Sequence, residues 1–576
     1  MNQKLENILN VSLDATEDEL RKADSLSTGY NWRDNTWEII VKYSGSLESI
    51  RNRYNVYIKE LLNYYAIIVA GKATIELISQ EDVIDYVEKP KSLYYQIERT
   101  KTAACVGSVR ADGNILSGKG VIVGVIDTGI DIFDNAFRNS DGTTRILNIY
   151  DQTTGEKYDK QSIDEYIRLN EDLSGGTFSY DNAPGVDNIM HGTDVSYIAA
   201  GSLGVAYEAD IIAVKMGYSI NNQFPRTTSL MDAIDYIIRK AIEYRKPVAV
   251  NISYGCNYGA HNGNTLLESF IDDISKSYRC VICVGSGNEA DKAIHFGGII
   301  NTGQVQTAYL SVGEYQSAID IQIWKNYWDT IDVMLINPRG EQIGIITEGR
   351  INRYETYNTE IITLLGEPSP YNIYQEIYIN LIPKTDYILS GIWQIVLMAG
   401  SIRAGEYNIW LPSSQALGYA TAFNNPTADG TITIPATARN CIAVGAYNAY
   451  TNSYATFSGR GFDNSIRNVN AGVKPDITAP GVDISIARQR GNDITYRNVT
   501  GTSYAVPVVT GAAALLMQWG IVMGNDRFMY GEKLKAALID GSKPVGLVGI
   551  TRNDNQPDPR TGWGAVCLKN TLNKIL

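Results

Sequence analysis

The stretch Gly120-Val-Ile-Val-Gly-Val-Ile-Asp-Thr-Gly-Ile-Asp131 decides how the chain folds. An apolar run of strand length ends on an acid, Asp127, and then on a glycine turn. A strand that is apolar on both sides must be covered on both faces, as in a parallel sheet sandwiched by helices. Three other runs share this texture: Ile211-Ile-Ala-Val214, Val248-Ala-Val-Asn-Ile252 and Cys280-Val-Ile-Cys-Val284. Helix-like stretches lie between them, notably 230–244, where Met231, Ile234, Ile237, Ile238 and Ile242 recur at helical spacing. The expected core is therefore an α/β domain with a parallel sheet and helices on both faces. Its site should lie beyond the carboxyl ends of the strands.

Upstream of this core the texture differs. Residues 16–22 carry a capping box, with Thr16 as N-cap and Glu19 three residues later. Strand-like runs at 37–43, 64–70 and 83–87 alternate with helix-like stretches at 46–52 and 73–79, a βαββαβ-like rhythm in a small α+β, ferredoxin-like module spanning 1–96. A polar linker follows, and Pro90 favours extended backbone at the residue before it. Downstream, at 299–427, seven or more runs alternate at period two between turn residues, which predicts an inserted β-sandwich or jelly roll. The α/β texture resumes at 428–576, so the core domain is read as two pieces, 97–298 and 428–576.

The composition excludes several roles. The chain has 576 residues and a net charge of −13, and so lacks the basic footprint that nucleic-acid binding needs. Residues 505–524 are apolar enough to mimic a membrane span, but Pro507, Thr510 and Gln518 interrupt them, and a buried core helix is the reading taken. The first ten residues show no long apolar stretch and no small-residue cleavage site, so no secretory signal is expected and a cytoplasmic place is the reading taken. The six cysteines are scattered, and the pair Cys280 and Cys283 flanks an apolar strand rather than completing a metal set.

Three segments carry chemistry: Asp127-Thr-Gly129 at a strand end, His191-Gly-Thr193, and Gly501-Thr-Ser503 before a long small-residue helix. Each alone has a structural reading, as a helix cap, a buried hydrogen-bonded imidazole and an ordinary helix start. Together they supply what a serine nucleophile needs. The hydroxyl requires an adjacent base, and the base requires a carboxylate to fix its tautomer and orientation. His191 is one of three histidines, with His261 and His295, and it alone sits among small residues at a strand-to-helix turn. Ser503, at a helix N-terminus, lies in the positive end of the helix dipole and near free backbone N–H groups.

In the order Asp, His, Ser, the segments resemble those of the subtilisin family of serine proteases, the subtilases. Gly204-Val-Ala-Tyr-Glu-Ala209, Ser253-Tyr-Gly255, Gly285-Ser-Gly-Asn-Glu289 and Arg560-Thr-Gly-Trp-Gly-Ala565 resemble further family signatures. The resemblance implies Asp127, His191 and Ser503 as catalytic triad and Asn288 as oxyanion donor. It also implies Ser253, Tyr254 and Gly255 as a substrate-binding strand and the N-terminal module as a prodomain that inhibits the site. Cleavage of that prodomain is expected near Gln96–Ile97. The architecture further resembles the Csp group of clostridial germination proteases, which implies a cytoplasmic or spore-associated protein.

Two residues depart from the family pattern: Asp194 stands where a second His is usual, and Tyr504 where Met is usual. Asp194 is expected to bond a backbone amide, or else to raise the basicity of His191. Tyr504 is expected to add bulk behind Ser503. No cofactor is required for this chemistry. Asp131 aligns with a calcium-binding position of some subtilisins, and whether a metal binds is left open. The expected partners are protein or peptide substrates and the chain's own prodomain. The implied function is endopeptidase cleavage, activating a spore cortex-lytic zymogen at germination. General intracellular turnover, or a sensor built on an inactive protease fold, are the other readings.

Overall fold

The computed structural model describes residues 2–575, apart from 93, 96–115, 174–182, 218–223, 347–348, 463–471, 491–492 and 547–556. The N-terminal module comprises α1 (Asn7–Asp14), α2 (Glu17–Lys22), β1 (Thr36–Tyr43), α3 (Glu48–Tyr54), β2 (Tyr57–Glu60), β3 (Tyr65–Ala70), α4 (Lys72–Ile78), β4 (Ile84–Glu88) and the short β5 (Tyr94–Tyr95). Thr16 and Glu19 close the capping box that starts α2. Strands β4, β1, β3 and β2 lie side by side, antiparallel throughout.

The central domain is built on β6 (Ile122–Asp127), β7 (Ile146–Asp151), α5 (His191–Ala200), β8 (Asp210–Lys215), α6 (Thr227–Tyr244), β9 (Val248–Ile252), the two-residue β10 (Tyr254–Gly255), α7 (Leu266–Ser277) and β11 (Cys280–Gly285). After the insertion it resumes with β12 (Ile442–Asn448), β13 (Ile477–Pro480), a hairpin of β14 (Ile484–Arg490) and β15 (Asp493–Val499), and α8 (Thr502–Met517). The sheet order is β12, β11, β9, β6, β8, β7, all parallel. Burial follows the period of two. Ile122 and Ile126 of β6 pack with Leu230, Ile234 and Phe270 of α6 and α7. Val123 and Val125 face the other way, toward Val195 of α5 and Val509 of α8. Cys280 and Cys283 lie buried in β11, and burial pushes both thiols up to about 12. The helix Thr502–Val522 is long and apolar enough to cross a membrane, yet 89% of its most apolar 18-residue stretch is buried in the protein.

The insertion forms two antiparallel sheets around one shared core that joins Ile321 and Ile379 of one sheet to Val333 and Leu397 of the other. Its first strand is His295–Ile299, paired with Glu406–Trp410, so the sandwich starts slightly before the expected boundary at 299. The strand pattern of this start was masked in the sequence by two glycines, Gly297 and Gly298. The sandwich is tied to the central domain by Tyr258 Oη donating to Asp320 (3.3 Å) and by the Gly259 N–H donating to Gln322 Oε1 (2.8 Å).

All three units meet at a buried charge cluster. Lys91 Nζ lies 2.7 Å from Glu6 and also pairs with Glu88, whose other oxygen accepts the Leu266 N–H at 2.8 Å. Glu376 of the sandwich accepts from Asn7 Nδ2 (3.1 Å) and from Gln322. Burial pushes the Glu376 carboxyl up to about 7, with Glu6 adding to the effect. The folded state therefore holds its proton more tightly than the unfolded chain, where a glutamate titrates near about 4.3. Stability from this group is full below that value and is lost as pH rises through about 7. Glu376→Gln, a neutral mimic of the protonated acid, is expected to raise Tm at pH 8 by about 2 °C or more and to change it less at pH 5. Equal shifts in thermal unfolding at the two pH values would contradict this.

Candidate active site

Asp127 closes β6 at the carboxyl edge of the sheet, buried, as the strand-end reading places it. Its Oδ1 lies 2.6 Å from His191 Nδ1 and also accepts the Thr128 N–H at 2.8 Å. His191 opens α5, just after Met190 at φ +67°. The two segments come this close because residue 192 is glycine: a Cβ there would meet the Gly129 carbonyl at 2.3 Å and Asp127 Cβ at 2.9 Å. Among the described residues, His191 Nε2 is buried without a hydrogen-bond partner. It therefore makes no hydrogen bond to Ser503 in this state; catalytic hydrogen bonds often tighten only once substrate binds.

Ser503 is the second residue of α8 and fully buried. Gly501 before it adopts φ +151°, ψ +160°, a conformation essentially reserved for glycine, which turns β15 into the helix. Asn288 sits just past the end of β11. Its Oδ1 accepts from Thr502 N–H (3.0 Å) and Oγ1 (3.1 Å), while its buried Nδ2 donates to no partner among the described residues. One end of the amide is thus fixed beside Ser503 and the other is an unspent donor, as an oxyanion site requires.

Ser253 Oγ donates to the Ser503 carbonyl (3.3 Å) and accepts from Asn251 Nδ2 (3.0 Å), so its side chain supports the nucleophile segment. Tyr254 and Gly255 form β10, and here the N-terminal module reaches the site: Tyr95 pairs antiparallel with Tyr254, and Tyr94 with Gly255. Main-chain pairing at an exposed strand is how extended peptides are recognised. Gln96 and Ile97 lie outside the described residues.

One expectation is corrected and one is extended. Asp194 bonds neither His191 nor a backbone amide; its carboxylate pairs with Arg488 (Nε at 3.1 Å) and Arg497. Two guanidiniums are a stronger match for a buried carboxylate than an amide. Tyr504 does more than fill space behind Ser503: its ring lies 5.2 Å from the His191 ring at 58°. Burial raises its phenol well above the ordinary range and keeps it neutral.

A residue absent from the sequence reading is Asp187. One oxygen accepts from Thr128 Oγ1 (2.7 Å) and Met190 N–H (2.7 Å), and the other from Thr193 N–H and Oγ1 (both 2.8 Å). Thr128 Oγ1 in turn accepts the Gly192 N–H at 2.9 Å. Asp187 so locks the turn after Asp127 to the start of α5. An acid a few residues ahead of a helix start is the signal that could have revealed it.

Asp131 spends one oxygen on the Phe133 N–H (3.1 Å), and among the described residues no three His, Cys, Asp or Glu side chains gather as a metal set. No side chain of the sandwich hydrogen-bonds to His191 among the described residues. The sandwich does touch the oxyanion loop, where Glu289 accepts from the Ser414 N–H at 3.1 Å.

Comparison with known proteins matches these features. The Csp protease B prodomain family matches residues 3–91, and the Subtilase family matches residues 118–368 and 404–564. The structure of the Clostridium perfringens CspB protease is 34% identical with a TM-score of 0.74, covering 82% of this chain and 96% of that one. Subtilase-type proteinase RRT12 of Saccharomyces cerevisiae is 33% identical over 128 residues, 22% of this chain and 23% of that protein. Subtilisin-like protease 10 of Arthroderma otae is 34% identical over 120 residues, 21% of this chain and 27% of that protein. The chain thus spans about a quarter of the length of these two curated relatives.

Proposed function

This chain belongs to the subtilase family, and from that premise we propose that it is a serine endopeptidase that cleaves protein substrates through an acyl-enzyme. The observation that carries the reading is the Asp127–His191 hydrogen bond of 2.6 Å beside a helix that begins at Thr502. His191, held in one tautomer by Asp127, takes the Ser503 proton as Oγ attacks the scissile carbonyl. Asp127 then stabilises the imidazolium. The Asn288 amide and the Ser503 N–H take up the oxyanion charge, and His191 returns the proton to the leaving amine. A second pass with water releases the acid product. A fluorophosphonate probe should label the wild-type chain at Ser503 and leave Ser503→Ala unlabelled. Equal labelling, or none in either, would overturn the reading.

Asn288 offers a graded test. Its Nδ2 meets no other acceptor among the described residues, so Asn288→Ala should cost little in substrate binding while lowering kcat by about 10²–10³. Peptide hydrolysis with separate kcat and KM measures this, and a loss confined to KM would contradict it.

The N-terminal module is proposed to inhibit the site in the manner of a tethered substrate, with β5 seated on β10. Cleavage is proposed at Gln96–Ile97, because β5, the described segment just before it, pairs Tyr95 with Tyr254 beside Ser253, whose hydroxyl meets the Ser503 carbonyl. The likeness to the CspB protease supports a role in activating a spore cortex-lytic zymogen at germination, in the cytoplasm or with the spore. Incubating the purified chain with such a zymogen should yield one discrete cut; generalised degradation would favour intracellular turnover instead.

A further inference from the structure

Asp194 is fully buried three residues after His191, and the charges that meet it come from a distant part of the chain. Arg488 on β14 donates from Nε to Asp194 Oδ1 at 3.1 Å, and Arg497 on the facing strand β15 pairs with Oδ2. Both arginines also donate to the Met190 carbonyl, Arg488 at 2.9 Å and Arg497 at 3.2 Å. Met190 is the residue that holds φ +67° immediately before His191. For a residue with a Cβ this conformation is strained and persists only where the surroundings impose it.

The hairpin that carries the two arginines stands outside the main sheet as its own two-stranded unit. Its second strand runs through Thr500 and Gly501 directly into Ser503. The four groups thus form a bridge between the segment that presents the imidazole and the segment that presents the hydroxyl. Nothing in the Asp127–His191 contact alone fixes the position of Ser503 relative to that ring.

We propose that Asp194, Arg488 and Arg497 act as a positioning clamp, which holds the Met190 turn in its left-handed form and sets the alignment of His191 with Ser503. The inference rests on the reading of His191 as base and Ser503 as nucleophile, and it adds three residues that touch no reacting atom. Guanidiniums suit the task because each fork reaches a carboxylate and a carbonyl at once. A lysine in place of Arg488 would keep the charge and lose the second contact.

The test uses the full chain and the variants Asp194→Asn, Arg497→Gln and their double mutant. Kinetics on a peptide are paired with nitrogen-15 histidine spectra, which are sparse because the chain has only His191, His261 and His295. Asp194→Asn is expected to lower kcat by roughly 10²-fold with KM nearly unchanged, since small misplacement at a reacting centre has effects of that order. The His191 ring signals should move while those of His261 and His295 stay. Adding Arg497→Gln to Asp194→Asn should cost little more, because the groups act as one unit. Wild-type kcat in Asp194→Asn, an unmoved His191 signal, or losses that multiply in the double mutant would each overturn the clamp. Should Asp194→Asn fail to fold, Arg497→Gln, whose side chain is 40% exposed, carries the kcat and spectral readouts by itself. Should the wild type hydrolyse nothing, the protease reading fails, and the His191 signals still decide the clamp.

Discussion

Ser503→Ala should leave the chain in one piece. The wild type, purified beside it, should separate into an N-terminal fragment and a fragment that starts at Ile97. The argument begins with β5, which lies antiparallel on β10 within reach of the nucleophile segment. On the proposed reading, a strand seated there reaches the site before any external substrate can. The hydroxyl that attacks that bond is absent in the variant, and peptide hydrolysis in trans should fall by about 10⁶, the magnitude known for subtilisin-type sites. N-terminal sequencing of both preparations and a peptide assay measure the two effects. Two intact proteins, with the wild type still hydrolysing peptides, would show that the N-terminal module is an uncut structural domain.

Asp127→Asn is expected to lower kcat by about 10⁴ with the fold intact. The 2.6 Å contact to His191 Nδ1 is the reason. An aspartate there can only accept, so Nδ1 carries the proton and Nε2 is left free to act as base. An asparagine offers an N–H instead, and the favoured tautomer reverses, with Nε2 protonated and unable to take the serine proton. The Thr128 N–H faces that same position of residue 127 and would lose its acceptor, at a net cost of about 1 kcal/mol; Asp187, which still accepts from Thr128 Oγ1, Met190 N–H and Thr193, should hold the turn. The check is kcat against pH, together with thermal unfolding. A variant that unfolds, or that loses less than tenfold, would show that Asp127 serves the fold more than the imidazole.

Much of this was legible in the chain because the signals are local. Apolar runs such as 120–126 reveal doubly covered strands, and period-two runs such as Ser317-Ala-Ile-Asp-Ile-Gln-Ile-Trp324 reveal sandwich strands. The small residues around Asp127, His191 and Ser503 reveal close approach, and Gly192 shows how close. What stayed hidden depends on pairing across long sequence separations. The partners of Asp194 lie on a hairpin far along the chain, so its carboxylate looked like a helix-start acid. Asp187 stands in a loop, and its partners Thr128, Met190 and Thr193 are not marked by any motif. The meeting of Glu6, Glu88, Lys91 and Glu376 joins three separate units, and no single segment carries a mark of it.

The two residues of β5 on β10 have a kinetic meaning as well as a structural one. A tethered strand occupies its groove at an effective concentration of the order of millimolar, and a free peptide must outcompete it by mass action. While the strand is in place, arrival of substrate is governed by the frequency with which the groove empties. Dilution does nothing to a competitor that travels with the chain. On the proposed inhibition, latency becomes a matter of residence time, written in the short main-chain pairing that Tyr94 and Tyr95 make.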